Sequence, residues 1–352
     1  MSPNPNDTAQ PSGLWTLITA AITILLLLVG SLMIQPRLTY RRAKVDDRFI
    51  LTANEVRALP KGTLAVVLDR NPGQDQNDFR FQLLKLVLES SGQPYAMGLS
   101  EELISQDEAV ALLQGANTMS ITVGVYGADA ELNRRLRPIP IPITGGLLGL
   151  RAGWSHVDEL DVLATLNNRD DLRSIVLLQG FGWSDVEIFD ASGLKTFTAA
   201  SQDLFRLVDN RRVHLFPRGI AELEGEARLV ADTTTDTVLD PHVLLAYPFT
   251  GFFYVSPNNQ PLAAAIQQGF EAAVADGSYQ RLVEQQIFTP WLRHHLNLAD
   301  RVVVFLPSPD AAEVINDVDP QHWIVPWRDL LNGQITRGEQ LCSLPKLKAL
   351  CR

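Results

Sequence analysis

The side chains best suited to chemistry sit in three short stretches. In Gly180-Phe181-Gly182-Trp183-Ser184 an aromatic turn leads to a hydroxyl that can cap a helix, with Glu187 three residues later as a capping box requires. A helix beginning there points its free amide N–H groups, and the partial positive charge of its N-terminus, at any carboxylate that enters. Phe181, Trp183 and Ser184 are therefore candidate ligand contacts; the competing reading is that Ser184 only caps and Trp183 only packs. Phe216-Pro217-Arg218-Gly219 puts a permanently charged guanidinium at the exit of an apolar run, where open α/β sheets gather ligand contacts, and Glu222 follows four residues on. Arg218 can hold an anion and Glu222 an amine, or the two can form an ion pair. Asp69 and Arg70 end the first apolar run and either face a cleft or lie in a solvated loop.

No catalytic pattern accompanies them. His156, His214, His242, His294, His295 and His322 form no His-Glu-x-x-His arrangement and no zinc spacing with cysteines, so they read as structural. There is no Gly-x-Ser-x-Gly elbow and no phosphate-cradling Gly-Lys-Ser/Thr loop, and Gly180-Phe181-Gly182 lacks the third glycine of a dinucleotide fingerprint. We expect no enzyme, no metal and no cofactor; an enzyme using cleft carboxylates ranks last. With 40 acidic against 30 basic side chains the net charge is -10, which argues against nucleic acid. Cys342 and Cys351 are too few for a four-thiolate zinc site and leave a local disulfide and two free thiols equally open.

The elements that must position these residues follow from hydrophobic periodicity. Leu64 to Leu68 reads as a buried strand, Asp78 to Ser91 as a helix ended by Gly92, and Tyr95 to Leu99 as a strand. A helix at Glu101 to Gln114 and a strand at Ser120 to Tyr126 continue the alternation that builds a parallel sheet. In Pro138 to Ile143 every second residue lacks a backbone donor, so this stretch is an extended connector. A second round begins with Ile175 to Leu178 and Ser184 to Ala191, continues with a helix at Ser201 to Asn210 and Val213 to Phe216, and returns through Gly251 to Val255 into a helix with Pro261 in its first turn.

Leu14 to Ile34 carries no charge and is long enough to cross a bilayer as one retained anchor, after a polar N-terminus at residues 1–13. Arg37, Arg41, Arg42 and Lys44 follow it, and by the positive-inside tendency they place the main domain in the cytoplasm. Residues 35–60 read as a linker.

From about Lys61 to Gln286 the chain resembles family 3 bacterial extracellular solute-binding proteins, the amino-acid-binding receptors of the periplasmic-binding-protein type 2 class, and among them proteobacterial relatives. The resemblance rests on Phe81 to Glu89, on the crossover Ile141 to Gly149, on Gly182-Trp183-Ser184-Asp185, on Phe216 to Gly219 and on Ala275 to Tyr279. It implies a two-lobed α/β fold with a hinge, preceded by the transmembrane helix: lobe 1 from 61–149 plus 252–299, lobe 2 from 150–251, and a C-terminal extension at 300–352 that sequence assigns to neither lobe. The first hinge falls near Gly146 to Arg151 and the second between Ala246 and Val255. It further implies a small polar or anionic solute captured in the cleft, a transporter or sensor partner, and a periplasmic domain held at the bacterial inner membrane, against the charge rule. The family's carboxylate-binding arginine lies in a Thr-x-x-Arg-Glu segment; here the region reads Thr122 to Gly127 and then Asn133-Arg134-Arg135, which weighs against an amino-acid ligand. The alternative is an interaction scaffold that kept this fold without its ligand.

Overall fold

The computed structural model describes residues 47–70, 74–115, 119–128, 130–308 and 311–351. The stretch 14–34, the basic residues after it and the linker as far as residue 46 lie outside them; the rest of the linker is folded and not a free connector, since helix Ala53–Ala58 starts on a Thr52–Glu55 capping box and Ile50 bridges to Leu99 of the second strand. Among the described residues no helix is long and apolar enough to cross a membrane.

In chain order the strands are β1 (Leu64–Leu68), β2 (Tyr95–Leu99), β3 (Val123–Gly127), β4 (Arg137–Ile139), β5 (Leu150–His156) and β6 (Val176–Gly180). They continue with β7 (Lys195–Ala199), β8 (Phe216–Gly219), β9 (Thr237–Leu239), β10 (Val243–Ala246), β11 (Gly251–Val255) and β12 (Val302–Phe305). The first sheet has the order β2-β1-β3-β11-β4, with β1 parallel to β2 and β3, and β11 antiparallel to both its neighbours. Its helix Phe79–Ser91 starts on the Asp78 side chain and ends at Gly92 in the left-handed region, and it buries Phe81, Leu83, Leu84, Val87 and Leu88. Helix Gln260–Ala275 packs against it so closely that a Cβ on Gly269 would lie 1.9 Å from the Val87 carbonyl oxygen. The proline-rich connector begins as β4, an edge strand, the one place in a sheet where missing donors cost no ladder bonds.

The second sheet has the order β12-β10-β5-β8, with β9 also paired to β5, and β6-β7 form a parallel pair beside it, joined through the Leu177↔Leu215 bridge. Residues 300–352, unassigned by sequence, thus enter this sheet through β12, parallel to β10. The chain therefore passes between the sheets three times, at 140–149, at 247–250 and between helix Pro290–Leu296 and β12. Helix Gly338–Cys342 and the last turn are closed by a Cys342–Cys351 disulfide, which resolves the thiol question.

Candidate functional site

The strand directions put the sequence-derived candidates on two edges, one per sheet. β5 leaves the first crossing at Leu150, level with Ala246 at the end of β10, while Arg151 is level with Gly219 at the end of β8. β6 runs the same way as the segment entering β8, so Gly180, and with it Phe181, Trp183 and Ser184, lies on this same edge as Arg218 and Glu222. In the first sheet β3 ends at Gly127, level with Gly251 where the second crossing arrives. Asp69 and Arg70 follow the end of the parallel strand β1, which points the same way, but Leu68 is level with Val123, the first residue of β3, so they lie beside the body of β3 and short of Gly127.

On the second-sheet edge the charges are already matched. Arg218 stacks on Trp183 at 4.8 Å and on Phe216 at 5.3 Å, and it donates to Glu222 at 2.7 Å and to Glu226 at 2.5 Å. Glu222 also accepts from Arg151 at 3.1 Å and from the Gly219 amide at 2.8 Å. Arg151, fully enclosed, reaches Asp185 at 3.0 Å, and Asp185 accepts a short hydrogen bond from the buried Tyr247 hydroxyl. Trp154 Nε1 donates to Glu226 at 2.9 Å, while burial still holds the Glu226 carboxyl above its ordinary range. Two guanidiniums thus face three carboxyl groups, so this cluster carries no spare positive charge. Arg218 and Glu222 form an ion pair within the fold.

Ser184 departs from expectation. Its backbone is already helical, with φ -62° and ψ -20°, and its side chain makes no capping bond. The capping box fails because a cap residue must be extended for its hydroxyl to turn back onto the third amide. Asp185 and Glu187 instead supply negative charge in the first turn of helix Asp185–Ala191, which disfavours a carboxylate there. Trp183 lies 6.2 Å from Phe216 in a stacked pair, and Phe181 is the most open aromatic of the group at 66% exposure.

The first-sheet edge is different. Asp69 is only 3% exposed, so the solvated-loop reading is corrected. Its amide bonds the Val123 carbonyl at 3.1 Å, which continues the ladder past β1 and pulls the side chain inside. Among the described residues no hydrogen-bond partner reaches Asp69 Oδ1, and the nearby Tyr126 hydroxyl also lacks one of good geometry. Burial raises the Asp69 carboxyl above its usual range, opposed by the charge of Arg80 and by Tyr126. The same burial, with the Asp69 charge beside it, holds the Tyr126 phenol protonated far above neutral pH. Arg70 is half-buried and donates to the Glu101 carbonyl at 2.6 Å, while its Nε is buried without a partner among the described residues.

Arg151, Asp185, Glu226, Tyr247, Arg80 and Tyr126 were not singled out from sequence. Arg151 carried a usable signal, a charge directly after the glycine-rich run Gly145 to Leu150, and it enters a strand buried along its whole length. The others meet only through pairings distant in sequence. Among the described residues no group of histidine, cysteine and acidic side chains could hold a metal.

No family model matches the chain, and no curated protein matches it. Solved structures are similar to it at low identity. An ancestral arginine-binding protein bound to arginine is 14% identical with a TM-score of 0.43, over 64% of this chain and 98% of that one. An amino acid ABC transporter substrate-binding protein from Streptococcus pneumoniae, bound to L-arginine, is 12% identical with a TM-score of 0.45, over 67% and 97%. Substrate binding domain 2 of Lactococcus lactis GlnP, in an open conformation, is 12% identical with a TM-score of 0.44, over 66% and 98%. A likeness of this degree assigns neither a family nor a ligand to the chain.

Proposed function

We propose that this domain binds a small polar solute between the edges of its two sheets, and that the group it recognises is a cation or a hydrogen-bond donor. The observation that carries the reading is Asp69: a carboxylate buried at the exit of a parallel strand, one oxygen without a partner among the described residues. Such a group is costly to leave unsatisfied, and an incoming ammonium or hydroxyl would relieve the cost. Tyr126, Trp183 and Phe181 supply the aromatic surroundings of a small-molecule site. An anionic solute is the weaker reading, since Arg218 and Arg151 are neutralised by Glu222, Glu226 and Asp185. With Leu14 to Ile34 as an anchor, the domain would stand on the outer face of a bacterial inner membrane and serve a transporter or sensor. The ligand-free scaffold is kept as the second reading because Arg218 pairs internally.

Native mass spectrometry of the full-length chain, purified gently from its host, tests this directly, followed by thermal shifts with amines, polyols and carboxylates. A co-purified cationic or donor-rich molecule, lost in Asp69→Asn and kept in Arg218→Ala, is the expected result. An empty protein with no shift from any class favours the scaffold. Binding of a cation should weaken as the pH falls through the raised Asp69 pKa, because protonation removes the charge it pairs with.

A further inference from the structure

We infer that the C-terminal segment 320–351 is a brace that fixes the angle between the two lobes. A hinge works by letting a few residues at element ends absorb large backbone changes. In the first crossing those residues are occupied. The Gly145 carbonyl accepts from the amides of Ile324 at 2.9 Å and Val325 at 3.1 Å. Gly145 and Gly146 have φ of 59° and 90°, and there is no room above them: a Cβ on Gly145 would lie 2.4 Å from Ile324, and one on Gly146 would lie 2.5 Å from the Trp327 indole nitrogen. A Cβ on Gly149 would sit 2.1 Å from the Tyr247 carbonyl oxygen and 2.7 Å from Trp327, so this one indole wedges the first crossing against the start of the second.

The same segment holds both lobes. Gln280, on the first-lobe helix Ser278–Gln286, donates to the Lys346 carbonyl at 3.1 Å, and the Lys346 amine ties Gln321 and Trp323 carbonyls at 2.7 Å each. On the second-lobe side Gly338 donates to Arg301 at 2.9 Å, and the buried Arg301 guanidinium spans the carbonyls of Leu296, Val243 and Asp240 at 2.5, 2.7 and 2.5 Å. The Cys342–Cys351 disulfide closes the end of the segment on itself. Turning one lobe against the other must strip Trp327 and Ile324 from the glycines and break the bonds to Gly145. The lobes therefore keep one aperture, and solute reaches the edges without a hinge swing.

Spin labels at Lys85→Cys and Lys195→Cys, exposed on opposite lobes, give the interlobe distance distribution of the full-length chain without any ligand, so the result is independent of the solute proposal. The expected trace is one narrow population that roughly doubles in width, or splits, in a chain ending at Val318 and in Cys342→Ser/Cys351→Ser combined with Trp327→Ala. Hydrogen exchange at the Ile324 and Val325 amides verifies that the second variant has released the crossing while the sheets stay protected. A broad distribution in the parent overturns the brace, and so does an unchanged narrow one in either folded, released variant.

Discussion

At the edge of the second sheet each buried charge meets one of opposite sign, whereas at the edge of the first sheet Asp69 is enclosed with an oxygen unpaired among the described residues. A network whose charges are paired is costly to break, even with Arg151 Nε lacking a hydrogen-bond partner among the described residues; a buried carboxylate left short gains what a ligand offers. On the proposed reading the contrast puts stability on one edge and recognition on the other, and it runs against charge as a guide, since the guanidinium that stood out in the sequence is paired within the fold.

The largest effect that would break this contrast is expected at Arg151. Arg151→Ala leaves Asp185 buried beside Tyr247 and takes one partner from Glu222, so urea unfolding should show a loss of about 3–5 kcal/mol, the usual result of stripping one member from a buried pair. A loss below about 1 kcal/mol would mean the network is solvated and not structural. Arg218→Ala should cost less, roughly 1–2 kcal/mol, because Glu222 keeps Arg151, and Glu226 can take up a proton given its raised pKa. Its effect on solute binding should be smaller than that of Asp69→Asn.

Asp69→Asn should have the opposite sign. Burial raises the folded pKa of Asp69 above its unfolded value, so the folded state holds that proton more tightly and the charged form works against folding above the raised pKa. The variant should be more stable than the parent by on the order of 1 kcal/mol at neutral pH, and the gap should close as the pH falls through the raised value. Glu226 shifts in the same direction but is common to both proteins and cancels in the difference. A parent that is the more stable of the two at neutral pH would show that Asp69 is satisfied within the fold.

Two serines with the same spacing to a glutamate show how far local pattern reaches. Ser105 and Glu108 form a true capping box, with an extended serine at ψ 160°, while Ser184 and Glu187 do not. The pattern is identical; what differs is the backbone entering the helix, which at Ser184 already turns through the Trp183 amide to the Gly180 carbonyl at 3.2 Å. The helix expected at 101–114 likewise begins only at Gln106, where Ser105 caps it. By contrast Leu64–Leu68 and Tyr95–Leu99 are strands over the residues read from periodicity, because short apolar runs of this kind suit a half-buried place in a sheet.

Sequence by itself determined the alternation of strands and helices, the helix stop at Gly92, the non-helical crossover at Pro138 to Ile143 and the gathering of candidate residues at strand ends. These rest on side-chain periodicity and backbone restriction, which act over a few residues. Only the tertiary structure decided that Arg218 is neutralised, that Asp69 is buried, that β12 joins the second sheet and that Trp327 sits on the first crossing. Each of these depends on partners far away along the chain, and burial and electrostatic pairing are properties of the packed neighbourhood, which no local pattern encodes.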